Sequence, residues 1–435
     1  MTRAPRARSA RAWFVVGALT VGAAASLGCR RDIHLLTDVR FDGGDGPSGD
    51  AGADGAVDHA PGVDAGPACT GLGPPITLPT ANGPTCAAAL STRAHRFAVC
   101  TCNVMQNPLT TIGARLRTYA FDSSDPAYSD DKVSAAVGID GALLTNADLE
   151  AEGAIYVAGD YATANGHLQA GASFRSAGPL TMLSSQQADL FGDAYVDGAV
   201  TGRVNVSGTL YVPSVIAVGS DVQAKTTSYG PVFVPTPCDC TSGNDLVDVA
   251  GAIAAAQWTN GDAAANFAPD ALAAASGPGQ LTLGCGTYYL SSIGPVAGAN
   301  NPVTLVVHGR ALLAVAGDVI LKGGLSVILD PSAELDLLVG QWFTTSGGTI
   351  GAPAAPARFR IWVGGDESLT LDNQPTIAAV VHAPGSIANA GAGLTLSGSL
   401  FVNALNLGDD SEVHYDRAIL SSGVACGADA GVPVP

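Results

Sequence analysis

Acidic residues at a spacing suited to catalysis are the first feature of this chain that could do chemistry. Asp189, Asp193 and Asp197 recur every four residues around an alternating segment. Because strand side chains alternate between faces, we expect Asp193 and Asp197 on one face, where paired carboxylates could act as acid and base in polysaccharide cleavage. Sugar sites also need stacking rings, and only Tyr156 and Tyr211 are predicted to face outward nearby. The alternative is that the aspartates occupy turns.

A second polar cluster, His414, Tyr415 and Asp416, lies near the C-terminus. Residues two apart on a strand share a face, so His414 and Asp416 could be a base and the group that orients it. No nucleophile can be assigned beside them. We therefore interpret the cluster as a structural cap. Phosphate-loop, zinc-protease and nucleophile-elbow motifs are absent, so we predict no cofactor, no metal and no catalytic activity.

Eight cysteines after Cys29 indicate disulfides if the chain is exported, because even cysteine counts are typical of oxidising compartments. The pairing stays open among 105 possibilities. Zinc is the alternative, but neither Cys-x-Cys pair has a nearby histidine. Residues two apart share a strand face, so each pair is predicted to bond two different partners. The disulfide candidates are Cys69, Cys86, Cys100, Cys102, Cys238, Cys240, Cys285 and Cys426.

Residues 1–28 have the features of an export signal. Four arginines precede an apolar run that is shorter than the ~20 residues of a membrane-spanning helix. The cysteine that follows Gly28 resembles the bacterial lipobox, although Ser26 and Leu27 stand in the reverse of the usual order. The resemblance implies that Cys29 is a lipid anchor whose acyl chains hold the protein on a membrane. An ordinary cleaved signal is the alternative.

Residues 29–67 form the lipid anchor and a predicted disordered tether. The stretch 41–67 contains six aspartates and many glycines, a composition that cannot bury enough apolar surface to fold. Calcium binding is a weaker alternative, because the aspartate spacing matches neither the EF-hand loop nor the nonapeptide repeat. Removing the signal would leave 16 basic against 38 acidic residues, a balance of −22, which argues against a nucleic-acid partner.

Repeats indicate the architecture. Residues 149–157, 204–212, 319–327 and 394–402 share one template, and 194–200 is a shortened copy. Each has two alternating segments around a central glycine, which we predict to turn a corner at positive φ. Short strands that meet at such corners are what a rung of a β-solenoid requires. We therefore predict a mainly β fold, a right-handed β-helix, with an antiparallel β-sandwich as the alternative.

A helical insertion is predicted near 244–275. Asn244 could cap a helix whose apolar stripe comprises Leu246, Val249, Ala250 and Ile253. We expect this region to pack against the side or end of the solenoid. Since cysteines bracket it, at least one disulfide is predicted to close it.

The C-terminal half resembles a known family. Gly286-Thr-Tyr-Tyr-Leu290, His382-Ala-Pro384 and His414-Tyr-Asp416 are similar to a β-helical domain of unknown function of bacterial pilus-associated surface proteins and myxobacterial-type lipoproteins. The resemblance implies a surface role without a defined catalytic site. The predicted regions are an N-terminal solenoid at 68–237, a C-terminal β-helical domain at 238–426 and a flexible tail at 427–435.

These observations predict an exported cell-envelope lipoprotein, in the outer membrane because Arg30 follows the anchor, with a structural, adhesive or interaction role. Its expected partners are the membrane, through acyl chains on Cys29, and surface polysaccharide or other envelope proteins. The alternative is a β-helix protein that binds or cleaves polysaccharide.

Overall fold

The computed structural model describes residues 71–103, 105–106, 114–125, 135–146, 148–183, 186–240, 246–273, 278–294, 301–366 and 369–426. The signal, Cys29, the tether, Cys69, Asn244 and the tail lie outside these residues. Short β-strands dominate, and among the described residues no helix is long and apolar enough to cross a membrane.

The first strands and the α-helices have the following bounds: β1 Thr77–Thr80, β2 Gly83–Cys86, α1 Ala87–Ala94, β3 Val99–Thr101, β4 Met105–Gln106, β5 Arg115–Phe121, β6 Val137–Ile139, β7 Leu143–Thr145, β8 Asp148–Ala151, β9 Ile155–Val157, β10 Ala162–Ala164, β11 Leu168–Ala170, β12 Phe174–Ser176, β13 Leu180–Met182, β14 Gln187–Leu190, β15 Ala194–Val196, β16 Val200–Thr201, β17 Arg203–Val212, β18 Val222–Tyr229 and α2 Val249–Trp258. The remaining strands are β19 Gly279–Leu283, β20 Gly286–Leu290, β21 Val303–Val307, β22 Arg310–Val315, β23 Val319–Leu321, β24 Leu325–Leu329, β25 Glu334–Val339, β26 Phe343–Ser346, β27 Thr349–Gly351, β28 Phe359–Val363, β29 Leu369–Asp372, β30 Thr376–Ala390, β31 Leu394–Leu407 and β32 Ser411–Asp416. Short 3-10 helices span Val215–Ala217, Pro356–Arg358 and Arg417–Cys426.

β1 and β2 form a separate antiparallel pair. The other strands stack in parallel as a β-solenoid of about 13 rungs, where a rung is one circuit of the chain. Most strands pair with the strand three places further along the chain, so the rungs build three columns. Along each short strand, buried and half-buried residues alternate, as in the buried–half-buried–buried pattern of β9 to β13. The inward residues, mainly alanine, valine and leucine, form one continuous core. The predicted solenoid is therefore confirmed over the sandwich.

The repeated nine-residue template does mark corners of the solenoid. Its central glycine, however, does not generally have the positive φ that was predicted. Residues 149–157 form β8 and β9 on either side of a corner, as predicted. Gly398 has φ +137, whereas Gly153 is not among the positive-φ glycines. A Cβ on Gly153 would lie 2.6 Å from the backbone nitrogen of Ala136 in the adjacent rung. Close stacking of corners, rather than backbone handedness, requires glycine there.

The order of the rungs along the stack differs from their order along the chain. β19 begins the stack, and the C-terminal strands follow it as far as β31 and β32. The next strands are N-terminal: β3 pairs with β31 through Val99 and Leu400, β4 pairs with β31, and β5 pairs with β32. From there the chain continues upward to β18. The seventh rung is thus a composite of β32, β3 and β4, and the two predicted solenoid regions form one stack.

The helical insertion is shorter than predicted. α2 begins at Val249, and the N-cap is Asp248, whose carboxylate accepts a hydrogen bond of 2.9 Å from the backbone nitrogen of Gly251. Its buried face comprises Val249, Ala252, Ile253 and Ala256, whereas the predicted Ala250 is not on it. The helix packs on β20, β22 and β25. Leu272, further along the insertion, is buried in the solenoid core beside the first rung. The insertion therefore packs on both the side and the end of the stack.

A second core lies outside the solenoid wall. Leu78, Leu90, Ile253 and Trp362 are among its members, so β1, α1 and α2 all cover the same column. The Cys86–Cys426 disulfide joins the start of α1 to the 3-10 helix that follows β32. α1 and the C-terminal 3-10 helix are thereby fixed to each other beside the composite rung.

Candidate functional site

The three aspartates proposed for catalysis do not come together. Asp193 and Asp197 flank the three-residue strand β15, and the Asp193 carboxylate accepts a hydrogen bond of 2.7 Å from the backbone nitrogen of Thr209. Asp189 lies on a different column, within 2.9 Å of His167 Nε2. Its partial burial acts to raise its pKa, but hydrogen bonds from Gln187, Asn205 and His167 lower it. The alternative interpretation as turn residues fits Asp193 and Asp197.

The His414-Tyr415-Asp416 cluster is likewise divided. His414 stacks on Tyr119 with ring centroids 5.3 Å apart, and the Tyr415 hydroxyl donates to the backbone oxygen of His95 at 2.7 Å. Asp416 accepts hydrogen bonds from the backbone nitrogens of Ser123, Ala357 and Ala418 and from the Ser123 hydroxyl. Burial raises its pKa, although these bonds oppose the shift. Asp416 therefore ties three segments together, which supports the interpretation as a structural cap.

Two disulfides connect the Cys-x-Cys pairs, as Cys100–Cys238 and Cys102–Cys240. Each pair bonds two different partners, as predicted. The expectation that a disulfide closes the helical insertion through Cys238 or Cys240 is wrong, because both bond back to the composite rung. They fasten the segment that returns from β18 against the middle of the stack. Cys285 is also disulfide-bonded.

The disulfides also account for the sulfur atoms that could have bound a metal. Asp140 lies with the sulfurs of Cys238 and Cys240 within 4.8 Å, the one such group among the described residues. Both sulfurs are in disulfides and are not available as thiolate ligands. Burial first, and the charge of Asp239 in addition, raise the pKa of Asp140 to about 6. Its carboxylate accepts a hydrogen bond from the backbone nitrogen of Cys238 at 3.0 Å.

A row of aromatic and guanidinium groups, which we call the tyrosine ladder, lies on the outside of one column. It comprises Tyr156, Arg175, Tyr195 and Tyr211, the outward residues of β9, β12, β15 and β17. The guanidinium of Arg175 lies 4.3 Å from the ring centroid of Tyr195, and the rings of Tyr195 and Tyr211 stack at 4.5 Å. Parallel in-register strands repeat at about 4.8 Å, which is why these groups meet. Tyr156 and Tyr211 were predicted to face outward. The strand register places Tyr195 and Arg175 in the same row.

The tyrosine ladder presents edges rather than faces to solvent. Stacking covers the faces that Tyr195 and Tyr211 turn towards each other, since the rings are nearly parallel at 3°. The phenol hydroxyls and the guanidinium remain at the half-buried surface as a repeating row of hydrogen-bonding groups. Such a row suits an extended polar polymer better than a single stacked sugar.

Two buried histidines lie under α1. His95 and His382 have ring centroids 5.4 Å apart, and His382 stacks on Phe401 at 4.7 Å. His95 Nδ1 lies 3.0 Å from the hydroxyl of Ser399, whereas neither nitrogen of His382 has a partner among the described residues. Burial lowers the pKa of both, that of His382 to about 3. Both rings are therefore neutral at pH 7.

A buried ion-pair network formed by Arg310, Arg360, Glu334 and Asp336 was not predicted from the sequence. Arg360 is 1% exposed and donates from Nε and Nη2 to the carboxylate of Asp336, at 2.7 and 2.8 Å, and from Nη2 to Glu334 at 2.7 Å. Trp362 Nε1 donates to Asp336 at 2.8 Å, and Arg310 lies 3.4 Å from Glu334. The sequence did hold one indication of this network. Glu334 and Asp336 are two residues apart on β25, and Arg360 and Trp362 are two apart on β28, so each pair shares a strand face in a chain with few charged residues.

This network borders a cavity of about 490 Å³, which we call the arginine cavity. Three guanidinium groups line it, from Arg310, Arg358 and Arg360, together with the carboxylate of Glu334. Five serines complete the polar lining: Ser123, Ser124, Ser332, Ser421 and Ser422. The wall is built from β22, β25 and β28 and from the elements that surround the composite rung.

Comparison with known protein families gives a match for only part of the chain. Residues 249–421 match the model of a domain of unknown function, DUF7305. The match runs from α2 to the 3-10 helix after β32, less than half of the chain, and the family carries no assigned activity. No curated protein and no solved structure matches this chain.

Proposed function

We propose that this protein is a structural or adhesive rod of the bacterial cell envelope, exported and held there by acyl chains on Cys29, with no catalytic role. The observation that carries the proposal is the single stack of about 13 rungs. At about 4.8 Å per rung, the stack is roughly 60 Å long. In the described part of the chain, the carboxylates of Asp189, Asp193 and Asp416 are engaged in hydrogen bonds rather than gathered around one reactive centre.

The covalent links support an extracytoplasmic location. Disulfides persist in oxidising compartments and are rare in the cytosol. Three of them connect the composite rung and its neighbours to distant segments, with sequence separations of 138 to 340 residues. Such links oppose separation of the layers that they join, which is a property that a surface rod needs.

The test of the anchor is membrane fractionation followed by mass spectrometry of the mature N-terminus. The wild-type protein should sediment with membranes and begin with an acylated Cys29. A Cys29→Ser variant should be released, since the proposed anchor is a single thiol. Wild-type protein that is free in the medium and carries an unmodified thiol would contradict the proposal.

The second candidate function is polysaccharide binding, which the tyrosine ladder favours. Its groups repeat at the strand spacing, and a polymer laid along the column could accept and donate hydrogen bonds at successive rungs. Because the ring edges are exposed, the hydroxyl should matter as much as the ring. Binding here would make the rod adhesive without catalysis.

The test compares Tyr211→Phe and Tyr195→Ala with Tyr161→Ala, a control at a 40%-exposed tyrosine outside the ladder. Affinity electrophoresis in gels containing neutral or acidic polysaccharide measures retardation. We expect each ladder variant to weaken binding about fivefold, since one hydrogen bond contributes about 1 kcal/mol. Equal retardation of wild-type and ladder variants would remove this candidate.

A further inference from the structure

We propose that the arginine cavity is a binding site for a small sugar that carries one carboxylate or phosphate group. The ligand would place its oxyanion on the half-buried Arg358, with the buried Arg360 beside it in the cavity wall. Guanidinium groups bind planar carboxylates and phosphates through paired hydrogen bonds, so they select this chemistry. This site is separate from the tyrosine ladder.

The first support is a buried donor that the protein itself does not use. Arg360 directs Nε and Nη2 at carboxylates, but its Nη1 has no partner among the described residues. A buried, unpaired donor on a charged group costs more than a net hydrogen bond contributes. The buried ion pairs account for the rest of the guanidinium, so Nη1 is the one donor of Arg360 without an acceptor in the described part of the chain. Because Nη1 is itself buried, a ligand reaches it only after the side chains around it move.

The second support is Arg358, which lines the same cavity. It is half-buried and forms no ion pair in the described part of the chain. Its Nη1 donates to the backbone oxygens of Asp330 and Ala333 at 3.3 and 3.4 Å, which are long contacts for a charged donor. Arg358 therefore lies beside Arg360 in the cavity wall without a carboxylate partner among the described residues, although the chain carries a formal charge of −18.

The local charges leave room for an anion. Glu334 and Asp336 neutralise the charges of Arg310 and Arg360, so the charge of Arg358 remains. Asp416 lies behind the wall, and its two oxygens are occupied by hydrogen bonds from Ser123, Ala357 and Ala418. It is therefore not positioned to neutralise Arg358.

The serines indicate a hydroxylated ligand. Four of their hydroxyls already donate within the protein: Ser123 to Asp416, Ser124 to Asp122, Ser421 to Ala418, and Ser422 to Ala88 or Ile419. Their oxygens keep acceptor capacity, so they suit hydroxyl donors on a ligand. The volume lies within the range of small-molecule sites, about 300–1,000 Å³. An oxyanion and several hydroxyl donors together describe a sugar acid or a sugar phosphate.

The experiment is isothermal titration calorimetry of the purified full chain with glucuronate, glucose 6-phosphate, inorganic phosphate and glucose. The variant is Arg358→Gln, which changes a half-buried side chain outside the ion-pair network. Arg203→Gln, at an exposed arginine of β17, is the matched control. Thermal melts of both variants establish that they fold, and Arg358→Lys replaces the variant if Arg358→Gln does not.

Binding of glucuronate or glucose 6-phosphate at least tenfold tighter than glucose, weakened at least tenfold by Arg358→Gln and unchanged by Arg203→Gln, would support the site. The preferred anion identifies carboxylate or phosphate as the group recognised. The proposal fails if the wild type binds neither sugar anion at millimolar concentration, or if both variants lose affinity equally. It fails in its sugar component if inorganic phosphate binds as tightly as glucose 6-phosphate.

Discussion

Replacing Cys86 and Cys426 with alanine removes the covalent link beside the composite rung. The disulfide spans 340 residues, but Cys100–Cys238 shortens the loop that it closes to roughly 200, since 14 residues separate Cys86 from Cys100 and 188 separate Cys238 from Cys426. The chain-entropy model gives about 5 kcal/mol for such a loop, and native disulfides contribute about 2–5 kcal/mol. We expect the free energy of unfolding to fall by about 3–5 kcal/mol.

The matched control is the Cys102→Ala, Cys240→Ala double variant. That disulfide lies two residues from Cys100–Cys238 at both ends, so it closes a loop of only a few residues. The same model then gives about 2 kcal/mol. Guanidinium denaturation of the oxidised proteins, followed by circular dichroism, measures both losses. If the control variant is destabilised as much as the Cys86/Cys426 variant, loop closure at the composite rung is not the source of the stability.

Three further predictions concern buried groups. Burial lowers the pKa of His382 from about 6.5 in the unfolded chain to about 3 in the folded protein. The free energy of unfolding therefore keeps its full value above pH 6.5 and falls by up to about 1.4 kcal/mol per pH unit below it. His382→Phe should remove that part of the pH dependence in urea titrations at pH 7 and pH 4. Gly153→Ala should lower the free energy of unfolding by about 1–3 kcal/mol, because the new methyl group meets the backbone of Ala136, and an unchanged denaturation midpoint would contradict the close-stacking argument. Arg360→Leu should cost about 3–5 kcal/mol by leaving Asp336 buried and unpaired, whereas a melting temperature within error of wild type would show that the network is not needed for folding.

The solenoid could be predicted because its signal is local. Alternating apolar residues and corner glycines recur within single rungs, as at 149–157. Each copy of the template therefore predicts the two strands that it forms. The role of Gly153 could not be predicted, because the atom that excludes a side chain belongs to Ala136 in the adjacent rung. Contacts between rungs leave little trace in the sequence of either rung.

The stacking order and the arginine cavity could not be predicted from the sequence either, because both depend on contacts between different rungs. Nothing within β31 or β3 indicates that Leu400 pairs with Val99, some 300 residues away. The sequence around Arg358 and Arg360 gives no sign of the cavity, because the other charged groups of the network lie on β22 and β25, in preceding rungs. The disulfide partners follow from that order: Cys238 meets Cys100 because the returning segment passes the composite rung.

The composite rung has a consequence for synthesis. A ribosome releases β3 to β18 before any of the strands from β19 to β32, so the early half must wait with β3, β4 and β5 as bare edge strands. Those edges can template wrong pairings until β31 and β32 arrive. Joining residue 426 to residue 71, ahead of β1, and opening the chain after β18 would make the order of synthesis follow the order of the layers. Such a circular permutant should therefore fold faster and aggregate less than the natural arrangement.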